Sequence, residues 1–300
     1  MSMDAGCELK SRNKEARLMK KKFRKTLSRI AAPVRLGIRE FLDKGELKRL
    51  QIQSVESENL RRLDCTGLAE QLEDVSIAGD WQIDSAALSR VNPPDHASGV
   101  NLGDQRALYT LVRSFQPLRI LEVGTHIGSS TLAIALASAR NVADGLTPHV
   151  STIDIRDVND VRSTPWEYFG SDASPRQKLE ELGLDGLVDF QVGDSLRILS
   201  ETKEEYDFIF LDGNHRAPAV YKEISVAVRK LGSGGSIVMH DVFPGGRPLW
   251  RESRATPGPW QAVSRLMDEN PELRLLPFGE LPWSTKYGGR VTSLATLSVA

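Results

Sequence analysis

Leu118-Arg-Ile-Leu-Glu-Val-Gly-Thr-His-Ile-Gly-Ser-Ser130 is the stretch that decides the fold. An apolar run ending at Glu122 reads as a strand, and Gly124 and Gly128 flank a tight turn into a helix expected from Ser129 to Ala139. A glycine-rich turn between strand and helix brings bare backbone close to a ligand, with the amides of a helix N-terminus behind it. That pattern belongs to nucleotide-type cofactor sites. The spacing is Glu-x-Gly-x-x-x-Gly and not the dinucleotide fingerprint Gly-x-Gly-x-x-Gly, because His126 stands where the middle glycine would be. A turn this crowded suits a ligand without a pyrophosphate. The plainer alternative is a strand-to-helix turn whose glycines serve packing alone.

Strands and helices alternate on either side of this unit. Further strands are expected at His149–Asp154, Val188–Val192, Tyr206–Leu211 and Ser236–His240, with helices at about 103–115, 175–183, 217–231 and 259–269. Such alternation predicts an α/β fold, a mostly parallel sheet with helices on both faces. A C-terminal pair, Arg274–Pro277 and Val291–Val299, raises the strand count to seven. The roughly thirteen residues between the last two are too few for a helical crossover, so the final strand should be antiparallel.

With 300 residues and 40% hydrophobic content, the chain is long enough for one large α/β domain and an appendage. Collagen-like, disordered and disulfide-scaffold classes are excluded. The net charge of −1 hides an asymmetry: residues 1–49 hold fifteen Lys/Arg against six Asp/Glu, so that segment is +9 and the remainder −10. Within 14–31, Met19, Phe23, Leu27 and Ile30 recur at helical spacing on a basic background, which predicts a helix with one apolar stripe, ending before Pro33. The stripe would pack on its own domain or on a second subunit, giving a homo-oligomer. Nucleic acid or an anionic membrane surface would use the same charge pattern and are the less favoured partners. A polar helical stretch is expected from Gly45 to about Asp74, and Val91-Asn-Pro-Pro-Asp95 marks a break. The chain therefore divides into a basic and polar helical N-terminal extension, 1–90, and a main domain, 91–300. Cys7 and Cys65 lack metal-ligand spacing, which fits a reducing compartment without structural zinc. No secretion signal or membrane-length apolar run is legible, and Asp4, Glu8 and Glu15 argue against a transit peptide, so a cytoplasmic location is expected.

In an open α/β sheet, ligands bind outside the carboxyl ends of the strands. Each of the five parallel strands carries an acid at or beside that end: Glu122, Asp154, Asp194, Asp212 and Asp241. Carboxylates crowded along one rim repel each other unless cations or hydrogen-bond donors hold them, so the rim reads as a site.

Taken in order, Gly103-Asp-Gln-Arg, Glu122-Val-Gly-Thr-His-Ile-Gly-Ser-Ser, Ile153-Asp, Val192-Gly-Asp-Ser, Phe210-Leu-Asp-Gly-Asn-His and Val238-Met-His-Asp-Val resemble the class I S-adenosylmethionine-dependent methyltransferases. Within that class they are similar to the small-molecule O-methyltransferases related to catechol O-methyltransferase and to sugar- and macrolide-modifying enzymes of bacterial secondary metabolism. The resemblance covers about residues 95–300. It implies a Rossmann-like methyltransferase fold, S-adenosylmethionine as cofactor, and a small-molecule acceptor hydroxyl on a sugar, phenol or natural product. By the same resemblance, Glu122 and the turn from Gly124 to Gly128 hold the methionine portion, with Thr125 and Ser130 among the cofactor-binding residues. Asp154 is implied to bond both ribose hydroxyls, a role that suits an acceptor-only carboxylate. Asp194 and Ser195 would meet the adenine, although Ser195 serves equally well as a helix cap.

Asp212, also implied in cofactor binding and catalysis, and Asp241 correspond to two metal-binding carboxylates, for which Mg²⁺ is the fitting ion. The sequence departs from the family pattern at Val242, where a ligand-bearing asparagine is usual. His240 precedes the acid and in a strand would point to the opposite face, which makes it a core or supporting histidine. His215 stands at the place of a catalytic lysine, and an imidazole there can act as general base or merely cap the following helix. His126 is expected to shape the cofactor pocket. Two regions can define the acceptor: Arg156–Ser174, with Trp166, Tyr168 and Phe169, and Phe243–Trp260, with Arg247, Trp250, Arg251 and Arg254. The rival readings are an RNA methyltransferase gripping phosphates with its N-terminal segment, and a noncatalytic protein of this fold that binds a partner. Glu122, Asp154 and the glycines argue against the second.

Overall fold

The computed structural model describes residues 37, 40–55, 57–92, 99–251 and 254–299. The helix expected over 14–31 and positions 93–95 of the break lie outside the described residues. Two compact units are present, Met1–Arg49 and Leu50–Ala300. In the first, a helix covers 40–49 and carries a Lys44–Glu40 ion pair of 2.9 Å across one turn.

The second unit is built on seven strands: β1 (Arg119–Val123), β2 (His149–Asp154), β3 (Val188–Val192), β4 (Tyr206–Leu211), β5 (Leu231–Met239), β6 (Leu273–Pro277) and β7 (Ala295–Val299). They form one sheet in the order β3-β2-β1-β4-β5-β7-β6. All pairs from β3 to β5 are parallel, and β7 runs antiparallel to both β5 and β6. The short final link thus produces the antiparallel last strand that its length predicts. The chain works outward from β1 to β3 and returns to place β4 on the other side of β1. This reversal opens a crevice at the carboxyl ends of β1 and β4, the usual ligand position in such sheets.

Eight α-helices accompany the sheet among the described residues of this unit: α1 (Cys65–Leu72), α2 (Val75–Val91), α3 (Leu102–Phe115), α4 (Ser129–Ala143), α5 (Pro175–Glu181), α6 (Ser195–Glu201), α7 (Ala217–Val228) and α8 (Pro257–Glu269). α2 begins where the Asp74 side chain accepts the amides of Ser76 and Ile77, and its inner face carries Ile77, Trp81, Leu88 and Val91 into the main core. Asp84 on the same face accepts the Tyr109 hydroxyl at 2.6 Å and the Arg140 guanidinium at 2.7 and 2.9 Å. Apolar spacing and a buried charge thereby fix α2 against α3 and α4.

Several boundaries differ from expectation. The stretch 45–74 is helical only towards its ends. Its middle has a short 3-10 turn at Ser57–Asn59, and Arg61 donates its amide to the Gly235 carbonyl at 2.7 Å. β5 starts at Leu231, which pairs with Tyr206 of β4, and its glycines lie in the register shift before the regular pairing resumes at Ser236, where the sequence suggested a turn. α7 accordingly ends at Val228. No helix among the described residues is long and apolar enough to cross a membrane.

Candidate active site

Glu122 sits in β1 with no exposed surface and accepts three hydroxyl hydrogen bonds, from Ser130 (2.5 Å), Thr131 (2.5 Å) and Thr152 (2.6 Å). Burial pushes its carboxyl up to about 7, the hydroxyls pull the other way, and the Asp212 charge adds to the rise. Thr125 Oγ1 lies 2.6 Å from Thr152 Oγ1 and extends this hydroxyl chain. In the turn itself, Gly124 and Gly128 have φ of 100° and 82°. A Cβ on Gly124 would stand 2.2 Å from the Asp212 carbonyl oxygen, and one on Gly128 would stand 2.8 Å from Pro175. Left-handed backbone and close packing together require glycine at both positions. Gly128 is also the N-cap of α4 and gives it no side-chain cap, so the first amides of this fifteen-residue helix are available to an anion.

At the end of β2, Asp154 accepts the backbone amides of His126 at 2.9 Å and Arg156 at 3.0 Å, one on each oxygen. Oδ2 keeps a second lone pair for a ligand, whereas Oδ1 also faces Arg156 Nε at 3.5 Å. Beside it, Ile155 is 67% exposed, and Val192, which pairs with Asp154 across the sheet, is 54% exposed. These apolar rim residues escaped the sequence reading because an isolated exposed aliphatic side chain carries no signal. Asp194 caps α6 by accepting the Arg197 amide at 2.9 Å, so the cap is Asp194 and not Ser195. Ser195 donates instead to Glu223 at 2.5 Å, a carboxyl that burial raises to about 7 against the pull of this hydrogen bond.

The long loop after β2 packs over the glycine turn. Trp166 is buried against Ile127, and the Phe169 ring stands edge-on to His126 with centroids 4.2 Å apart. Burial lowers the pKa of His126, an effect that Arg156 reinforces.

Asp212 follows β4, its amide bound to the Val123 carbonyl at 2.8 Å. Its Oδ1 is 3.3 Å from both His215 Nε2 and His240 Nδ1. Asp241 Oδ2 lies 3.4 Å from His215 Nε2, and Oδ1 lies 3.6 Å from His240 Nδ1. The expectation that His240 turns away from the acids is therefore corrected. β5 ends at Met239 and Asp241 takes a left-handed φ of 54°, so the strict alternation of an extended strand no longer applies. Val242 is a buried core residue whose amide bonds the Ser293 carbonyl.

A third carboxylate, Asp104 on the first turn of α3, joins this cluster. It is wholly buried and accepts from Asn101 Nδ2 at 2.6 Å, Thr292 Oγ1 at 2.5 Å and His240 Nε2 at 3.2 Å. No spacing rule connects residues 136 positions apart, so this contact was not legible beforehand.

Burial would raise the Asp212 carboxyl, but the His240 and His215 imidazoles outweigh it and hold the group well below the usual carboxylate range. Burial conversely lowers both imidazoles. The carboxylates outweigh it again, raising His215 through Asp212 and Asp241, and His240 well above its ordinary value through Asp212, Asp241 and Asp104. Asp212, His240 and Asp241 offer ligand atoms within 4.8 Å of one another, a donor set that fits a divalent cation. His215 is further fixed by α8: a Cβ on Gly258 would lie 2.0 Å from the His215 carbonyl oxygen.

His240 and Asp241 open onto a cleft of about 310 Å³, with Asp104 behind them, whose other walls include Phe243, Trp250, Arg254, Lys286 and Tyr287. The Trp250 ring is 6.2 Å from Phe243 and 6.3 Å from Tyr287, and Lys286 Nζ stands 5.9 and 5.6 Å from the Trp250 and Tyr287 ring centres. Of the two regions expected to shape an acceptor site, the one after β5 lines this cleft and the one after β2 does not. Lys286 and Tyr287 went unnoticed because their short turn resembles any exposed loop.

Residues 121–242 match the family described as "Methyltransferase domain", a span from β1 to just past Asp241. Among solved structures, the cofactor-bound protein Rv0187 from MTB is 18% identical, with 80% of this chain and 99% of that chain covered and a TM-score of 0.51. The O-methyltransferase TomG from Streptomyces achromogenes, involved in tomaymycin synthesis and solved with SAM, is 22% identical over 76% of this chain and 91% of its own, with a TM-score of 0.48. An O-methyltransferase from Bacillus cereus in complex with SAH is 21% identical over 76% and 92%, with a TM-score of 0.47. The seven-stranded sheet with its single antiparallel strand and the likeness to Rv0187 agree on a Rossmann-like methyltransferase fold, and residues 121–242 within it are similar to the family of methyltransferase domains.

Proposed function

We propose that the protein is an O-methyltransferase that moves a methyl group from S-adenosylmethionine to a hydroxyl of a small molecule, with a divalent cation assisting. The observation carrying this reading is the meeting of Asp212, Asp241, His215 and His240 beside an aromatic-walled cleft, next to the glycine turn. S-adenosylmethionine, when bound, supplies a methyl carbon on a positively charged sulfur. The turn from Gly124 to Gly128, with Glu122, Thr125 and Ser130 behind it, receives the methionine portion, and the uncapped start of α4 faces its carboxylate. Asp154 takes the ribose diol, with the lone pair of Oδ2 left after the His126 amide and with Oδ1 in exchange for the long contact to the half-exposed Arg156 guanidinium. Ile155 and Val192 offer apolar faces to the adenine, with Asp194 and Ser195 at its edge.

Asp212, Asp241 and His240 would hold a divalent cation, which would lower the pKa of an acceptor hydroxyl; Mg²⁺ is the ion implied by the family resemblance. His215, its Nε2 released from the two acids once these hold the cation, would accept the hydroxyl proton as the oxygen–carbon bond forms and the carbon–sulfur bond breaks. Phe243, Trp250 and Tyr287 give flat walls for a phenol or the C–H face of a sugar. A cytoplasmic setting agrees with the exposed free thiol of Cys65. Homo-oligomerisation, suggested by the apolar stripe of 14–31, belongs to the same proposal and is read by light scattering.

The test is incubation with methyl-labelled S-adenosylmethionine and a panel of phenols, sugars and RNA, with and without chelator. Label on a phenol or sugar, lost with chelator and restored by a divalent ion, is the expected result. Label confined to RNA would replace the small-molecule reading, and full transfer in excess chelator would remove the cation from it.

A further inference from the structure

Among the groups that surround the acid cluster, Asp104 is the one without a part in the chemistry described above. It is wholly inaccessible and lies on α3, far in sequence from the strand ends. A buried carboxylate is stable only where donors surround it, and three converge here: the Asn101 amide, the Thr292 hydroxyl and His240 Nε2. Without a metal both ring nitrogens face carboxylates, Nε2 facing Asp104 at 3.2 Å and Nδ1 facing Asp212 at 3.3 Å, and each contact is held by an N–H, since two lone pairs in that position repel. A metal can displace only the Nδ1 proton, because Asp104 is sealed from the cluster. When the other ring nitrogen binds a metal, Nε2–H therefore points at Asp104. Nδ1 is left to face Asp212 Oδ1 at 3.3 Å and Asp241 Oδ1 at 3.6 Å. Neighbouring donors bound at about 2.0–2.2 Å to one ion lie roughly 3–3.5 Å apart, a spacing that the Asp212–His240 pair meets and the Asp241–His240 pair slightly exceeds.

We infer that Asp104 is a positioning residue that locks His240 with Nδ1 toward the acids, so that the third protein donor is nitrogen and the site favours borderline transition ions over Mg²⁺. The inference rests on the cation reading of the proposed function and deepens it by naming the ion class. Imidazole suits ions such as Co²⁺ and Zn²⁺, whereas Mg²⁺ takes oxygen donors and retains water. A carboxylate behind a metal-binding histidine also raises the basicity of the ligand and fixes its ring.

The test is calorimetric titration of the full-length protein, its Asp104→Asn variant and its His240→Asp variant with CoCl₂ and MgCl₂. Cobalt absorption in the visible and ¹⁵N-histidine NMR of the zinc-loaded wild type are recorded alongside. The expected result is Co²⁺ binding tighter than Mg²⁺ in the wild type, with the Co²⁺/Mg²⁺ affinity ratio lowered about 10- to 100-fold in Asp104→Asn. In His240→Asp the ratio falls at least as far and the cobalt bands shift. The NMR spectrum should show a His240 ring protonated at Nε2 alone. An unchanged ratio in the variants, or a ring protonated at Nδ1, overturns the inference and leaves the cation reading standing. Failure of the wild type to bind either ion overturns both. Should Asp104→Asn not fold, the His240→Asp titration and the wild-type NMR spectrum decide the matter alone.

Discussion

Glu122 and His215 show how neighbours set the behaviour of a side chain. Glu122 has a folded pKa of about 7 against an ordinary 4.5. Between those values the folded chain holds a proton that the unfolded chain has lost, so stability falls as pH rises through the window and the penalty is complete above it. Glu122→Gln should therefore be more stable than the wild type at pH 8, by on the order of 2–3 kcal/mol, with the difference vanishing towards about pH 4. Denaturant unfolding at several pH values checks this, and a pH-independent difference would contradict it. His215 lies between two carboxylates that raise its pKa, so in the metal-free protein its ring should titrate above the ordinary imidazole value of about 6.5, and a divalent ion on those acids should lower it again, both read by histidine NMR. His215→Ala should lower kcat by about 10²–10⁴ with cofactor affinity unchanged. Stopped-flow or steady-state rates and calorimetry separate the two effects. At this scale the sequence was informative about residue identity: Asp212, Asp241 and His215 were legible because strand-end acids and a histidine three positions on have a fixed register. Asp104 was not, because its partner is distant in sequence.

Among the elements, strand pattern and glycine placement governed what could be read. β1 to β4 were found to within a residue, since buried parallel strands are short apolar runs with turn residues at their ends. β5 is longer than its apolar run because it includes the glycines of an irregular register, which read as a turn. The short helix α6 was missed because seven residues give no periodicity to detect. His240 was misplaced because alternation was carried past the point where the backbone leaves the strand. Gly258 illustrates an element acting on the site from outside it. A methyl group there would enter the space of the His215 carbonyl and stand 2.8 Å from the Ala217 amide. Gly258→Ala should destabilise the protein by about 1–3 kcal/mol and depress kcat, while cofactor affinity stays near the wild-type value. Thermal unfolding with parallel rate and binding measurements tests this, and an undisturbed rate would show that the His215 loop relaxes freely.

For the molecule as a whole, the division after Arg49 separates the charged segment from the unit that carries every site residue. Removing residues 1–49 should leave a fragment that unfolds cooperatively and binds S-adenosylmethionine with unchanged Kd. Mass in solution or acceptor KM should change. If both stay constant while binding to RNA or anionic vesicles is lost, the segment serves charge-driven attachment. Sequence showed its charge and apolar stripe but not its partner, because the same pattern fits a protein, a lipid or a phosphate surface.

The seam between β1 and β4 reaches beyond folding. Gly124 packs against the Asp212 carbonyl, and the Asp212 amide is tied to Val123, so one stretch of backbone belongs at once to the cofactor turn and to the acid cluster. Under the proposed function, two ligands share that backbone. By reciprocity, whatever factor the cofactor imposes on cation affinity, the cation returns to the cofactor, and the order of loading cannot alter their joint binding free energy.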